Sequence, residues 1–363
     1  MNTYLLAERT FGSYGARILI NLVVSGIPVF AWYGIETWLA AAAIAVLTGW
    51  DIGGQGTLDL PTKIFTIITG IVMAIPPILG ITSIAYIDYV AIPIMVALVI
   101  YGLYLGITAG VTGLLEYVPP TYSSATVLAN FMIALNVVIG LIIVGATIGA
   151  DTARWIRPSK RDVIMACLLG FFATAVFMET IGTFFAVTAV KAGLDPSLSW
   201  NMVLVLKQLG VAAGPLWPLL VGAWLLQFAT KMLNAYSGGP ALTVTVERAS
   251  LRPWLTLAGA LIGSIVAVLG IVWYWIPYLT TLANWVSPVA AILLTEYYLI
   301  RRMRKEISEK TSKVRIESLV GWFFGGFSAY LLSSYTPYFV PSIIGMAIAS
   351  AIHAIGAKLS KRF

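Results

Sequence analysis

Apolar runs of about 20 residues, the length at which a helix crosses the hydrocarbon core of a bilayer, recur along this whole chain. No other feature constrains the fold as strongly. Backbone N–H and C=O groups cannot go unpaired in lipid, so such runs form helices and not open strands. Hydropathy places ten spans, at 18–47, 62–82, 87–108, 126–149, 163–190, 211–240, 254–275, 279–300, 318–335 and 338–357. Of 363 residues only 10% are charged against 60% hydrophobic, too few charges to coat soluble domains of that length. The reading is an all-α integral membrane protein of about ten transmembrane helices, with 1–363 forming a single transmembrane domain. The only charge-rich linker is 301–317. The start, MNTYLLAERTFGSYGAR, lacks the pattern of a cleavable signal peptide. Cys167, the single cysteine, lies in an apolar run and reads as a small core residue.

The basic residues orient the spans, because Lys and Arg concentrate in short loops on the cytoplasmic side. With the N-terminus inside, eighteen of the 22 Lys and Arg fall on inside segments. They are Arg9 and Arg17, four in 154–161, Arg248 and Arg252, seven in 301–315, and Lys358, Lys361 and Arg362. Only Lys63, Lys191 and Lys207 fall outside, and Lys231 lies within a span. The expected topology is multi-pass in the cell membrane with both termini cytoplasmic. Aromatic clusters at Trp273, Tyr274 and Trp275 and at 335–339 suit an outer interfacial belt. The net charge of +7 is then a topology signal and not a nucleic-acid patch. The lipid bilayer is the partner it implies, and neither a cofactor nor an obligate protein partner is inferred.

Charges inside spans are costly and mark function by default. Three stand out: Glu36, Glu179 and Lys231. Asp88, Asp151 and Glu296 lie near predicted helix ends, where water or headgroups can solvate them. Trp32 and Glu36 are four residues apart and share one helix face. An indole beside a carboxylate offers stacking and edge recognition to a flat, hydrogen-bonding heterocycle, although aromatic residues also fill membrane cores. Two segments look built to break. Gly140, Gly145 and Gly149 punctuate the fourth span, and Gly238-Gly239-Pro240 follows Thr230, Lys231, Asn234 and Ser237 in the sixth. Interrupted helices expose backbone groups to ions and substrate; ordinary close packing at glycine is the plainer alternative.

Four stretches resemble the nucleobase–cation symporter-1 family, the permeases for cytosine, purines, uracil, allantoin, hydantoins and thiamine. They are Arg9-Thr10-Phe11-Gly12 with Gly15-Ala16; Trp32-Tyr33-Gly34-Ile35-Glu36-Thr37-Trp38; Asp151-Thr152-Ala153-Arg154-Trp155; and Pro288 onward through Glu296-Tyr297-Tyr298-Leu299-Ile300-Arg301-Arg302. Their order and spacing cover nearly the whole chain. The resemblance implies a LeuT-type inverted repeat of five plus five helices followed by two more. On that plan the ten spans are helices three through twelve: 18–108 the remainder of the first repeat, 126–300 the second repeat, and 318–357 the two C-terminal helices. The first repeat is incomplete, and two further spans encoded ahead of Met1 are expected. A natural truncation or inactive paralogue is the alternative.

Residue by residue, the resemblance puts Trp32 on the family's stacking tryptophan and Glu36 on its substrate-binding glutamine. Ile142 stands where a second stacking aromatic would be, and Gly145 leaves backbone open to ligand. Thr230 falls at a sodium-coordinating hydroxyl and Asn234 near the substrate-facing asparagine. Lys231 has no counterpart beside a sodium site, and its ammonium carries the same unit charge as sodium. The expected function is import of a nucleobase or related planar heterocycle such as cytosine, coupled to a proton or sodium gradient. A same-fold carrier for amino acids or organic cations is one rival. A membrane enzyme is another; it needs paired Asp motifs, a metal cluster or a Ser–His or Ser–Lys arrangement, and the chain has one histidine, His353.

Overall fold

The computed structural model describes residues 3–50, 52, 58–119, 123–157, 159–213, 215, 217–300, 312–335 and 338–360. The described residues form helices and no strands. In chain order these are α1 Thr3–Phe11, α2 Ser13–Thr48, α3 Leu60–Leu79, α4 Ile81–Thr108, α5 Val127–Ala153, α6 Lys160–Lys191, α7 Met202–Ala213, α8 Trp217–Val246, α9 Arg252–Val268, α10 Trp275–Leu294, α11 Ile316–Tyr335 and α12 Pro341–Leu359. Local chemistry sets several ends. Asp59 accepts the Thr62 N–H at 2.8 Å to start α3, and Asn201 accepts the Val203 N–H at 3.1 Å to start α7. Gly49 (φ 75°) stops α2 in the left-handed region.

Every expected span coincides with a helix. Eight segments are long and apolar enough to cross a bilayer among the described residues. The other two, α8 at 30 residues and α11 at 20, are long enough but more polar. One helix between the expected spans is additional to them, and three expectations are corrected. The stretch between the fifth and sixth spans holds α7, whose 12 residues reach only about 18 Å, too short to cross. The sixth helix starts at Trp217 and runs unbroken to Val246, with Pro240 inside it. Gly238 and Gly239 serve close packing there: an added Cβ would stand 2.7 Å from the Phe30 ring and 1.9 Å from Thr256 Oγ1 respectively. Helix α5 is likewise continuous, with Gly140 pressed against the Leu279 carbonyl of α10 and Gly145 and Gly149 facing open space. Cys167 is exposed, not in a core.

Packing centres on α2, which lies against both α8 and α9, while α9 packs on α3. Small residues permit this. A Cβ on Gly34 would come within 2.6 Å of the Gly263 carbonyl, and Ala40, Ala41, Ala42 and Ala43 are all buried. Lipid tails are as apolar as leucine, so such helices associate through close contact and not through escape from water. Helix α5 packs on α10, which also meets the α11–α12 pair. Much of the basic run 301–315 lies outside the described residues, as do Met1, Lys361 and Arg362.

Candidate functional site

Helix α2 presents two adjoining faces, and each does something different. Trp32 and Glu36 face a cavity of about 290 Å³ shared with Gln227 and Thr230 of α8 and with Trp200 and Trp275. Tyr33 and Thr37, one residue on from each, face Lys231 instead. The i, i+4 spacing thus holds on both faces.

At the cavity, Glu36 is 4% exposed and one carboxylate oxygen accepts from Asn234 Nδ2 at 2.8 Å. Asn234 lies on the helix face of Gln227 and Thr230, at i+7 and i+4 from them. The Trp32 ring meets Trp275 edge-on, with centroids 4.9 Å apart, and Tyr278 at 5.9 Å. Tyr278 is itself anchored, its hydroxyl donating to the Pro28 carbonyl at 2.7 Å. An indole braced by two further rings, beside an acceptor–donor pair, is a preorganised wall for a flat polar ligand.

Lys231 is fully buried, and its ammonium donates to Thr37 Oγ1 at 3.1 Å. It also stands 5.1 Å from the centre of the Tyr33 ring, within cation–π range. Thr37's own proton goes to the Tyr33 carbonyl at 2.6 Å, which leaves its lone pairs for Lys231. The ammonium neither reaches the interface nor forms an ion pair with Glu36. Thr230, its sequence neighbour, points the other way: its hydroxyl is exposed and donates to the Leu226 carbonyl at 3.0 Å. Thr230 and Lys231 therefore do not converge on one site.

The structure brings Trp32, Glu36, Asn234 and Thr230 together. Ile142 and Gly145 line none of that cavity; an added Cβ on Gly145 would meet nothing within 4 Å. Glu179 is exposed on α6. Two carboxylates expected to be solvated are buried instead. Asp151, 8% exposed, accepts the Thr3 N–H at 3.2 Å, and Glu296, 1% exposed, meets Arg315 and His353. Sequence reasoning passed over Tyr33, Thr37, Trp200, Trp275 and Tyr278. The Tyr33–Thr37 spacing was a usable signal, whereas Trp200 and Trp275 reach the cavity only through tertiary packing.

The structure places Ser318, His353 and Glu296 in a row, the arrangement an enzyme would need. All three side chains are sealed, with at most 1% exposed, so no substrate reaches the hydroxyl.

No family model matches the chain. A hydantoin permease of Microbacterium maritypicum is 24% identical over an alignment of 334 residues that covers 84% of this chain and 62% of that protein. The chain thus spans less than two thirds of that permease's length. A solved nucleobase-cation-symport-1 family transporter, in a closed conformation with bromovinylhydantoin bound, superposes with a TM-score of 0.67 at 20% identity. The match covers all of this chain and 81% of that one. The chain has the fold of a nucleobase–cation symporter-1 transporter. In that fold's terms the cavity lies between the continuous helices α2 and α8.

Proposed function

We propose that the chain is the greater part of a secondary transporter, importing a nucleobase, hydantoin or related planar heterocycle. The observation that carries this reading is the Glu36–Asn234 pair beside Trp32. A carboxylate only accepts hydrogen bonds and a carboxamide also donates. Set side by side they match the N–H and C=O neighbours on the edge of an imide or ureide ring, while the indole takes its face. Cytosine and hydantoin both present such an edge. The hydantoin permease likeness points to the same ligand class.

Coupling belongs, in this reading, to the other face of α2. Lys231 supplies a fixed or protonatable positive charge at the α2–α8 contact, so protons replace sodium as the driving ion. Thr230 keeps free lone pairs at the cavity, and a sodium site there is the rival. The excess of Lys and Arg on alternate loops supports a cell-membrane location with both termini cytoplasmic. The inverted-repeat division at 18–108, 126–300 and 318–357 is part of the same proposal.

Ligand binding to the purified full-length protein tests the site through tryptophan fluorescence, with nucleobases, hydantoins, amino acids and organic cations in one panel. A planar heterocycle should quench, and Trp32→Ala should weaken its binding by about 1–3 kcal/mol. Unchanged affinity in that variant overturns the stacking role. In liposomes, uptake should follow a pH gradient applied alone. Sodium-driven uptake that ignores pH and survives Lys231→Ala would move coupling to Thr230.

A further inference from the structure

Four elements of the chain meet around its one histidine. His353 on α12 has no exposed surface. Its Nε2 lies 3.1 Å from Glu296 Oε2, in the π-helical turn Thr295–Ile300 that continues α10. Its Nδ1 lies 3.2 Å from Ser318 Oγ on α11. Ser318 Oγ in turn donates to the main-chain carbonyl of Thr10 on α1, and Arg315 Nη1 donates to the other Glu296 oxygen at 3.2 Å.

Counting protons along this row gives a result that no single contact shows. A serine hydroxyl carries one proton, and a carbonyl accepts only. The Ser318 proton is committed to Thr10, so Ser318 Oγ meets His353 as an acceptor and Nδ1 must carry a hydrogen. A neutral imidazole has one N–H. Its Nε2 would then be bare and would face an ionised carboxylate, two acceptors 3.1 Å apart. The row closes only with one more proton, as imidazolium against carboxylate or as imidazole against carboxylic acid. We propose that His353 and Glu296 hold a shared proton, forming a proton-binding latch that ties α1 to the α11–α12 pair.

The surroundings suit a latch. Arg315 holds the Glu296 oxygen that His353 does not meet, which fixes the carboxyl's orientation. Glu317 lies against Gly356 at the α11–α12 contact, Tyr297 donates to the Leu6 carbonyl at 3.2 Å, and Arg9 and Lys358 are exposed. Backbone contacts complete the strap: Arg315 N–H to Phe11 O at 3.1 Å, Ser13 N–H to Ser312 O at 3.1 Å and Tyr14 N–H to Lys313 O at 2.9 Å. Gly12, at φ 84°, lets the backbones close, because a Cβ there would stand 2.7 Å from the Lys313 carbonyl. π-Helical turns recur at functional sites. Without the shared proton, two acceptors oppose each other and α1 loosens. The row lies apart from the heterocycle cavity, so this inference stands or falls separately from the transport reading.

The single histidine makes the test direct. In full-length protein labelled with ¹⁵N-histidine, Nδ1 should be protonated at neutral pH. Hydrogen exchange over Thr3–Phe11 should rise about tenfold between pH 6 and 9, beyond the intrinsic base-catalysed increase, from loss of one charged hydrogen bond. Glu296→Gln supplies an amide N–H to Nε2 without any shared proton, so its strap should stay protected across that range. A bare Nδ1 at neutral pH overturns the proposal. So does a wild-type pH response retained in Glu296→Gln.

Discussion

Helices α2 and α6 invite comparison because so much of their sequence is alike. They run 36 and 32 residues and both are strongly apolar. Each contains a π-helical stretch, Ala16–Gly26 in one and Ala166–Ala173 in the other. Each carries one carboxylate well inside the span. Yet 67% of the most apolar window of α2 is buried, against 6% of that of α6. Glu36 is enclosed and bonded to Asn234, while Glu179 is exposed. The difference lies in the small residues. Gly34 and the alanines at 40–43 let α8 and α9 reach the backbone of α2, whereas Gly170 of α6 has nothing within 4 Å of an added Cβ. Apolarity keeps a helix in the membrane; side-chain size at the contact decides whether another helix joins it.

The largest test of that contrast is steric. Gly34→Val places its Cβ within 2.6 Å of the Gly263 carbonyl, a backbone atom with no rotamer to escape into. It should cost about 3 kcal/mol, seen as a large fall in melting temperature in detergent. The matching Gly170→Val on α6 should stay within about 0.5 kcal/mol. Equal losses in the two variants would break the comparison.

The next effect is electrostatic. Lys231→Met keeps the volume and removes a fully buried ammonium, so thermal stability should hold or rise by about 1 kcal/mol. Lys231→Ala leaves a void and should lose about 2 kcal/mol. Glu179→Gln, on the open face, should leave the melting temperature where it is. A Lys231→Met variant less stable than Lys231→Ala would show that the charge itself holds α2 to α8.

The smallest effect is a labelling rate. Cys167 is exposed on α6, so a membrane-permeable maleimide should modify it readily in proteoliposomes and a charged one should not. Failure of both reagents would mean that α6 is covered in the bilayer, which would break the contrast with α2.

Much of this architecture was legible in residue order. The ten spans follow from hydropathy because each must satisfy its own backbone in lipid, and Trp32 with Glu36 follows from a spacing of four. What escaped shows the limit of that reading. Helix α7 is too short to register as a span, and the turn that leads into it brings Trp200 to the cavity. Glu296 sits near a helix end and reads as solvated, but Arg315 and His353, 19 and 57 residues on, enclose it. The glycines at 238 and 239 read equally as a break or as a packing face, and only Phe30 and Thr256 decide between the two.

By itself, then, the sequence determined that the chain is an all-helical membrane protein, where its apolar runs lie, and which charges would be costly inside. Tertiary structure alone decided which of those charges meet a partner, which apolar face is buried, and that Thr230 and Lys231 turn apart. The physical reason is the solvent. In water, burying apolar surface both forms a helix's amphipathic pattern and selects its partner, so pattern reveals packing. In lipid that driving force is spent at insertion, and the remaining choice among helix faces rests on short-range fit and hydrogen bonds between residues far apart in the chain.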